Sequence, residues 1–413
     1  MQNVLTGETR AGLADVQRRL ADLAQRTAAW WLRHGVDQTD GGFYGTLTRD
    51  GSPTVPREKG LIQQSRHLWA MSTWHGRRAP TPEVRAAAES CYTFIIDHLR
   101  DVNDGEFFYM AGAAGGVVDR KKKLYAEAFA IYGLSAYANE FGVAAARQYA
   151  LECFASIDGR AHDAAHGGYD QTDDPLSWID GAAHGTNTHI HLMEAFTALY
   201  ELTQESSVRE RLSELVDTTV RHLLQPSDYV AMAFDSGWAP VGPPLVSYGH
   251  DIETVWLLVD AARALGREAE PAVREAARRI GVHASERGYD AARGGYCNEG
   301  VPGGEVTDPE KIWWVQFEAL AGLWWLYRLT GDHVHLDRLE HTLTWLEAAW
   351  DSVGGEWFYG LLQDGRPGPR GENKGEEWKT SYHNLRSLVF TGDWIAEALR
   401  SQPTDRSSEI RSV

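Results

Sequence analysis

A glycine-glycine-aromatic signature recurs along the chain and constrains its fold more than any other feature. It reads DGGFYG at 40–45, DGEFFY at 104–109, HGGYDQ at 166–171, RGGYCNEG at 293–300 and GGEWFYG at 354–360, with a degenerate copy, DSGWAP, at 235–240. The marker glycines Gly41, Gly105, Gly167, Gly237, Gly294 and Gly354 are 64, 62, 70, 57 and 60 residues apart. Such regular spacing predicts six copies of one structural unit.

Helical periodicity fills the intervals between these markers. Apolar residues recur with a period near 3.6 over twelve segments, which predict six helical hairpins. The predicted helices span 11–34, 58–76, 82–100, 122–141, 143–158, 184–205, 207–224, 248–266, 270–287, 308–330, 332–350 and 378–399. Six hairpins can close into a ring, which removes the end faces that an open stack must cap. We predict an all-α fold, an (α/α)6 barrel with short β segments in its loops, as one domain over 1–400 followed by a polar tail over 401–413.

The odd- and even-numbered helices differ in chemistry, which indicates how they are arranged. The odd ones, such as 82–100 and 207–224, are amphipathic with a charged face, as expected of an outer ring. The even ones carry polar and aromatic residues near their N-terminal ends, which an inner ring would direct to one end of the barrel. These residues are Gln63, Arg66, Tyr125, Glu127, Asn187, His191, His250, Glu253, Trp313, Trp314, Glu318, Trp378 and His383.

The composition excludes several classes of partner. Lys and Arg number 40 against 58 Asp and Glu, and the resulting formal charge of −18 repels nucleic acid phosphates and anionic membrane surfaces. No run of eighteen uncharged apolar residues occurs, and three cysteines, Cys91, Cys153 and Cys297, are too few for a disulfide framework. We expect a cytoplasmic monomer or homodimer that binds a small molecule in a pocket lined by some of its 16 Trp and 16 Tyr residues.

The motifs of cofactor and metal sites are missing from the sequence. It contains no Walker loop, dinucleotide-binding GxGxxG, GxSxG or CxxC motif, so we expect no cofactor. It also contains no HExxH, and His189 and His191 diverge because residues two apart on a helix face different directions. We therefore expect no metal site, with His191 sharing a helix face with Asn187.

Two histidines are the candidate proton-transfer groups. His250 and Glu253 lie at i and i+3, so the carboxylate is expected to orient one ring nitrogen and raise the basicity of the other. His383 follows Trp378, an aromatic plate suited to a sugar ring, and precedes Arg386 at i+3. Each group also has a purely structural interpretation, a buried His–Glu pair in the first case and an indole sealing the barrel in the second.

Four ordered segments resemble one family over nearly the whole chain. NTHIHLMEAF (187–196), SYGHDIETVWLL (247–258), KIWWVQFEAL (311–320) and WKTSYHNLR (378–386) are similar to the N-acylglucosamine 2-epimerase superfamily, most closely its cellobiose 2-epimerase and mannose 2-epimerase branch. The resemblance implies an (α/α)6 barrel that inverts C2 of a reducing sugar, with His250 and His383 as the acid–base pair. It places substrate contacts at Arg66, Asn187, His191, Glu253, Trp314 and Trp378; Tyr125, Trp313, Glu318 and Arg386 are added from the pattern.

Three alternatives stay open at this point. TSYH at 380–383 replaces a Cys-Pro-Tyr-His pattern of the disaccharide enzymes and Leu385 replaces a Gly, so an enzyme for free D-mannose and D-glucose is a rival to a cellobiose enzyme. Delivery of the proton to C1 would instead make a mannose–fructose isomerase. An (α/α)6 glycoside hydrolase needs paired carboxylates, and the predicted site is richer in histidine.

Overall fold

The inner and outer helices form a closed double ring, which confirms the predicted (α/α)6 barrel. The computed structural model describes residues 5–55, 58–171 and 179–401; the predicted tail, apart from Ser401, lies outside them. The described α-helices are α1 Gly7–His34, α2 Leu61–Arg77, α3 Pro82–Phe94, α4 Leu124–Phe141, α5 Ala144–Ala161, α6 Thr186–Thr203, α7 Ser206–Thr218, α8 Tyr248–Ala264, α9 Pro271–Arg287, α10 Trp313–Thr330, α11 Val334–Ala348 and α12 Tyr382–Arg400.

Burial separates the two rings as their chemistry predicted. The even helices are buried on nearly all sides, whereas the odd ones bury a single face. Each even helix packs against the next even one, and α12 packs against α2, which closes the inner ring. Helix α1 packs against the inner helix α12, and its contacts with α11 and α3 close the outer ring. No helix in these described ranges is long and apolar enough to cross a membrane.

Short strands precede most inner helices and shorten them relative to the prediction. The strands are β1 Lys59–Gly60, β2 Met110–Ala111, β3 Val117–Asp119, β4 His184–Gly185, β5 Ala233–Phe234, β6 Val246–Ser247, β7 Glu299–Gly300, β8 Val306–Asp308, β9 Lys311–Ile312 and β10 Gly360–Leu361. Each of β1, β4, β6 and β9 pairs antiparallel with a strand of the following repeat. These pairings hold the chain extended, so the helices predicted from 58, 184 and 308 begin two to five residues later. The last helix begins at Tyr382, and Trp378 lies before it.

One recurring hydrogen bond, which we call the marker clamp, joins each of five marker loops to the inner ring. The fourth residue of five consecutive inner helices accepts the backbone N–H of a residue in its preceding marker loop. The pairs are Phe43 to Gln64 (2.8 Å), Phe107 to Glu127 (3.4 Å), Tyr169 to His189 (3.0 Å), Val230 to Asp251 (3.0 Å) and Tyr296 to Gln316 (2.7 Å). The second marker glycine is required here. A Cβ at Gly42 or Gly295 would lie only 2.5 Å from the side-chain oxygen that accepts the marker-clamp hydrogen bond.

The predicted marker at 235–240 is wrong, because the fourth marker loop lies earlier in the chain. The bridge between Leu224 and Val230 matches those that span the other markers, such as Val36 with Phe43. The loop between them contains Asp228, which takes the left-handed φ of +68° found at glycine elsewhere. Without the glycine pair, sequence similarity could not locate this copy.

Loss of one clamp is expected to destabilise the barrel measurably. In Gln316→Ala the buried N–H of Tyr296 loses its acceptor, which should lower the free energy of unfolding by about 1–3 kcal/mol. Urea denaturation followed by tryptophan fluorescence measures this change. Gln148→Ala on exposed α5 is the matched control, and equal effects of the two substitutions would contradict the clamp.

Candidate active site

A cavity of about 130 Å³ lies where the N-terminal ends of the inner helices converge. Ten of the twelve predicted site residues line it, together with Tyr359, which the prediction did not include. The lining is Arg66, Tyr125, Asn187, His191, His250, Glu253, Trp313, Trp314, Tyr359, Trp378 and His383. The other two predicted residues, Glu318 and Arg386, are fully buried behind this wall.

His250 has a different partner from the one predicted. Its Nδ1 atom lies 2.7 Å from the Oγ atom of Ser247, whereas the carboxylate of Glu253 binds Arg386 instead. Spacing at i and i+3 placed Glu253 on the right face but could not show that a buried arginine competes for it. Burial, followed by the nearby His191 ring, lowers the pKa of His250 to about 3, so its ring is neutral near pH 7.

His383 is oriented by a carboxylate on the neighbouring inner helix. Its Nδ1 atom lies 2.7 Å from Oε1 of Glu318, and Oε2 of Glu318 accepts the indole N–H of Trp256 at 2.9 Å. Burial, followed by the cations Arg66 and Arg386, lowers the pKa of the His383 ring well below its ordinary value. With both Nδ1 atoms engaged, each histidine has its Nε2 atom for chemistry.

The indole next to both histidines is that of Trp314, which corrects the predicted position of Trp378 beside His383. The ring centroid of Trp314 lies 4.9 Å from that of His250 and 5.5 Å from that of His383. The ring centroid of Trp378 instead lies 5.8 Å from that of Tyr125. The shift follows from the late start of α12, which leaves Trp378 in the preceding loop.

Arg386 connects three carboxylates beneath the cavity. Its guanidinium donates to Glu194 and Glu253 and lies 2.8 Å from Oε1 of Glu318. Because three carboxyl groups share one cation in a buried place, burial and mutual repulsion raise the pKa of Glu253. Glu194 is the exception, since Arg386 and His191 lower its carboxyl pKa to about 2 despite its burial.

Among the described residues, a single group of three side chains could offer ligands to a metal ion. It comprises Glu253, Glu318 and His383, whose ligand atoms lie within 4.8 Å of one another. The guanidinium of Arg386 lies among the same atoms and donates to both carboxylates. Arg386 therefore supplies the positive charge that a metal ion would otherwise contribute there.

Arg66 is the cationic side chain of the cavity wall. It is 2% exposed and donates to the Trp378 carbonyl oxygen and the Tyr125 hydroxyl, each at 2.9 Å. It has no ion-pair partner in the described parts of the chain, and its Nε atom is buried without an acceptor. An arginine held in place by neutral acceptors keeps its charge available to an anion in the cavity.

His191 and Asn187 share one face of α6, as predicted, and both line the cavity. Nδ1 of His191 lies 3.0 Å from Glu194, while the side-chain oxygen of Asn187 is buried without a partner. His189 points away and accepts the N–H of Tyr169 in the marker clamp. The prediction that the two histidines diverge is therefore confirmed.

Three contributors to the site were missed by sequence reasoning. Ser247 precedes its histidine by three residues, a spacing that could have suggested it. Tyr359 belongs to the last repeat marker, whose position in the ring pointed towards the cavity. No neighbouring residue in the sequence could have indicated Tyr382. Its hydroxyl donates to Oε2 of Glu194 at 2.5 Å, and Glu194 lies 188 positions away in the chain.

The three positions that depart from the disaccharide-enzyme pattern, Thr380, Ser381 and Leu385, do not line the cavity. Ser381 contacts the ring of His67 at 2.9 Å, and Thr380 and Leu385 are each 1% exposed. Thr380 and Ser381 precede α12, and Leu385 lies in its first turn.

Removal of the Ser247 hydroxyl is expected to slow catalysis without unfolding the protein. In Ser247→Ala the hydrogen bond that orients the His250 ring is lost, which should raise the activation free energy by about 1 kcal/mol. We therefore expect kcat to fall by about five- to tenfold. Ser247→Thr keeps the hydroxyl and should restore most of the activity. Steady-state kinetics on both variants test this, and an equal loss in both would contradict orientation by the hydroxyl.

Comparisons with known proteins show which family this chain resembles. The family model of N-acylglucosamine 2-epimerase (GlcNAc 2-epimerase) matches residues 42–387. A cellobiose 2-epimerase of Bacteroides fragilis is 33% identical over 90% of this chain and 97% of its own length. A D-mannose isomerase of Marinomonas mediterranea is 24% identical over 87% of this chain and 93% of its own. The structure of cellobiose 2-epimerase from Spirochaeta thermophila superposes with a TM-score of 0.88 and 32% identity, over 95% of this chain and all of that one.

Proposed function

Because the chain belongs to the N-acylglucosamine 2-epimerase family, we propose that it is a sugar 2-epimerase that inverts C2 of a reducing aldose. The observation that carries the proposal is the pair of imidazoles, His250 and His383, which line one cavity with their ring centroids 4.9 Å and 5.5 Å from that of Trp314. Inversion requires a base on one face of the sugar and an acid on the other, and two separately oriented rings supply both.

His250 acts as the base in one direction of the reaction. Its ring is neutral, and a Nδ1–H bond to the Ser247 hydroxyl oxygen leaves the lone pair on Nε2. That lone pair removes the C2 proton of the open-chain aldose, which is acidic because the C1 carbonyl delocalises the electron pair. The product of this step is a cis-enediolate.

The acid is His383 together with Glu318. One proton lies between Nδ1 of the ring and Oε1 of the carboxyl, 2.7 Å apart, and belongs to the pair as a whole. Burial raises the pKa of Glu318, which favours retention of that proton in the pair. His383 can then give its Nε2 proton to the opposite face of C2, and the roles exchange for the reverse reaction.

The negative charge of the enediolate is met by fixed positive groups. Arg66 lines the cavity without a carboxylate partner among the described residues, and the N-terminal ends of the inner helices point their positive dipole ends to the same place. Such charges are already oriented before the reaction, so they stabilise the intermediate more effectively than water does.

Hydrolysis is disfavoured by the lining, and isomerisation is a second candidate. Glu253 is the one carboxylate of the cavity wall, and it is paired with Arg386, so an acid–base pair of carboxylates is missing from the described site. Return of the proton to C1 from the same enediolate would yield a ketose, and similarity to D-mannose isomerases favours testing for it.

Product analysis in D2O tests the proposal. The protein is incubated separately with cellobiose, D-mannose and D-glucose, and products are separated by chromatography and examined by NMR. We expect the C2 epimer, with deuterium at C2; the similarity to cellobiose 2-epimerases favours the β-1,4-linked disaccharide as the best substrate. Accumulation of a ketose as the main product would assign an isomerase, and release of monosaccharides from cellobiose would assign a hydrolase.

A further inference from the structure

A second and larger cavity lies at the opposite end of the barrel. It has a volume of about 370 Å³ and is formed by the C-terminal halves of α2, α4, α6 and α8 with Phe390 of α12. We refer to it as the lower cavity; the lining residues that matter here are Ser72, Ser135, Asn139, Thr197, Glu201 and Asp260. It shares no lining residue with the candidate active site, and Glu194, whose carboxylate binds His191, lies between the two.

The lower cavity is rich in hydrogen-bond acceptors. The hydroxyls of Ser72 and Thr197 each donate to a carbonyl oxygen four residues earlier, at 2.7 Å, so they face a ligand with lone pairs. Glu201 and Asp260 add two carboxylates. The inner helices also end here, and their last carbonyl groups carry the negative ends of the helix dipoles. A ligand with several donors and a positive charge fits this lining.

Among the described residues, the two carboxylates have one ion pair between them. Glu201 has no ion-pair partner in the described parts of the chain, and the nearest cation to Asp260 is Arg263 at 3.6 Å. The other cation of the wall, Arg77, is paired with Asp393 at 2.7 Å. Burial, followed by the neighbouring Glu201 carboxylate, raises the pKa of Asp260 to about 6. A bound cation would relieve this repulsion.

Ser135 is an independent indication of a ligand. Its side chain is 2% exposed and lines the lower cavity, and its Oγ atom has no hydrogen-bond partner among the described residues. A buried hydroxyl without a partner costs free energy, which a ligand with a polar group opposite Ser135 would recover.

We propose that the lower cavity binds a small hydroxylated organic ammonium compound. The ammonium group lies between Glu201 and Asp260, and the hydroxyls bond to Ser135 and Asn139. A bare metal ion fits less well, because the cavity is much larger than an ion and no group of three metal-ligating side chains converges in its described lining.

Isothermal titration calorimetry in phosphate buffer at pH 7 tests the proposal with tris(hydroxymethyl)aminomethane as the probe. Pentaerythritol, which has a hydroxymethyl group in place of the ammonium, is the neutral control of similar shape. We expect saturable one-site binding of the amine and none of the control. Asp260→Asn and Glu201→Gln should each weaken amine binding about tenfold or more, and Ser135→Ala about fivefold.

The first cavity provides the matched control. Trp314→Ala removes its central ring and should leave the amine affinity unchanged. Absence of saturable amine binding, equal binding of pentaerythritol, or loss of amine binding in Trp314→Ala with no change in Asp260→Asn would each overturn the proposal. Glu201 is exposed, so Glu201→Gln remains informative if Asp260→Asn does not fold. None of these results depends on epimerase activity.

Discussion

Replacement of His383 by Asn is expected to lower the rate of epimerisation by about a thousandfold while leaving the fold intact. The variant keeps His250, so one face of C2 retains its base and the other loses its acid. The substrate epimer whose C2 proton faces His250 should still exchange that proton with solvent, although it cannot be inverted. The other epimer should neither exchange nor react.

The complementary variant makes this prediction specific. His250→Asn should show the mirror pattern, with exchange confined to the opposite epimer. Proton NMR of both epimers in D2O, read at C2, measures exchange and inversion in one sample. His333→Asn, at an exposed position before α11, is the matched control and should behave as wild type. Exchange of both epimers in either variant would show that one base serves both faces.

Replacement of Arg386 by Met is expected to destabilise the protein by about 3–5 kcal/mol, because it leaves three buried carboxylates without their shared cation. The loss should depend on pH with a definite sign. In the variant, the carboxyl pKa of Glu194, which Arg386 holds low, rises above the unfolded value of about 4.3, and the already raised pKa values of Glu253 and Glu318 rise further. Protonation then favours the folded state, so the deficit is largest at pH 8 and shrinks towards pH 5.

Urea unfolding at pH 8 and pH 5.5 measures both the size and the sign of this effect. Arg366→Met is the control, since Arg366 has an exposed side chain and should change the free energy of unfolding by less than about 0.5 kcal/mol. Adding Glu253→Gln to Arg386→Met removes one of the stranded charges and should recover part of the stability. A deficit that is independent of pH would contradict the shared-cation interpretation.

The helical period explains why much of the site could be predicted. In an inner helix, the residues of the first two turns that face the axis are fixed by the 3.6-residue repeat, and Arg66, Asn187, His191 and His250 all occupy such positions. Ten predicted residues consequently line one cavity. The fourth marker escaped prediction because Asp228 adopts a backbone conformation for which the other markers use glycine.

The sequence by itself determined the number of hairpins, the division into two rings and the end of the barrel at which the polar side chains collect. These properties follow from periodicity, which is local. The tertiary structure alone decided the partners: Ser247 and not Glu253 for His250, Trp314 and not Trp378 beside His383, and Arg386 beneath the wall. Periodicity shows which residues share a face, but it cannot rank the neighbours that compete for them, and Arg386 reaches Glu253 from 133 positions away in the chain.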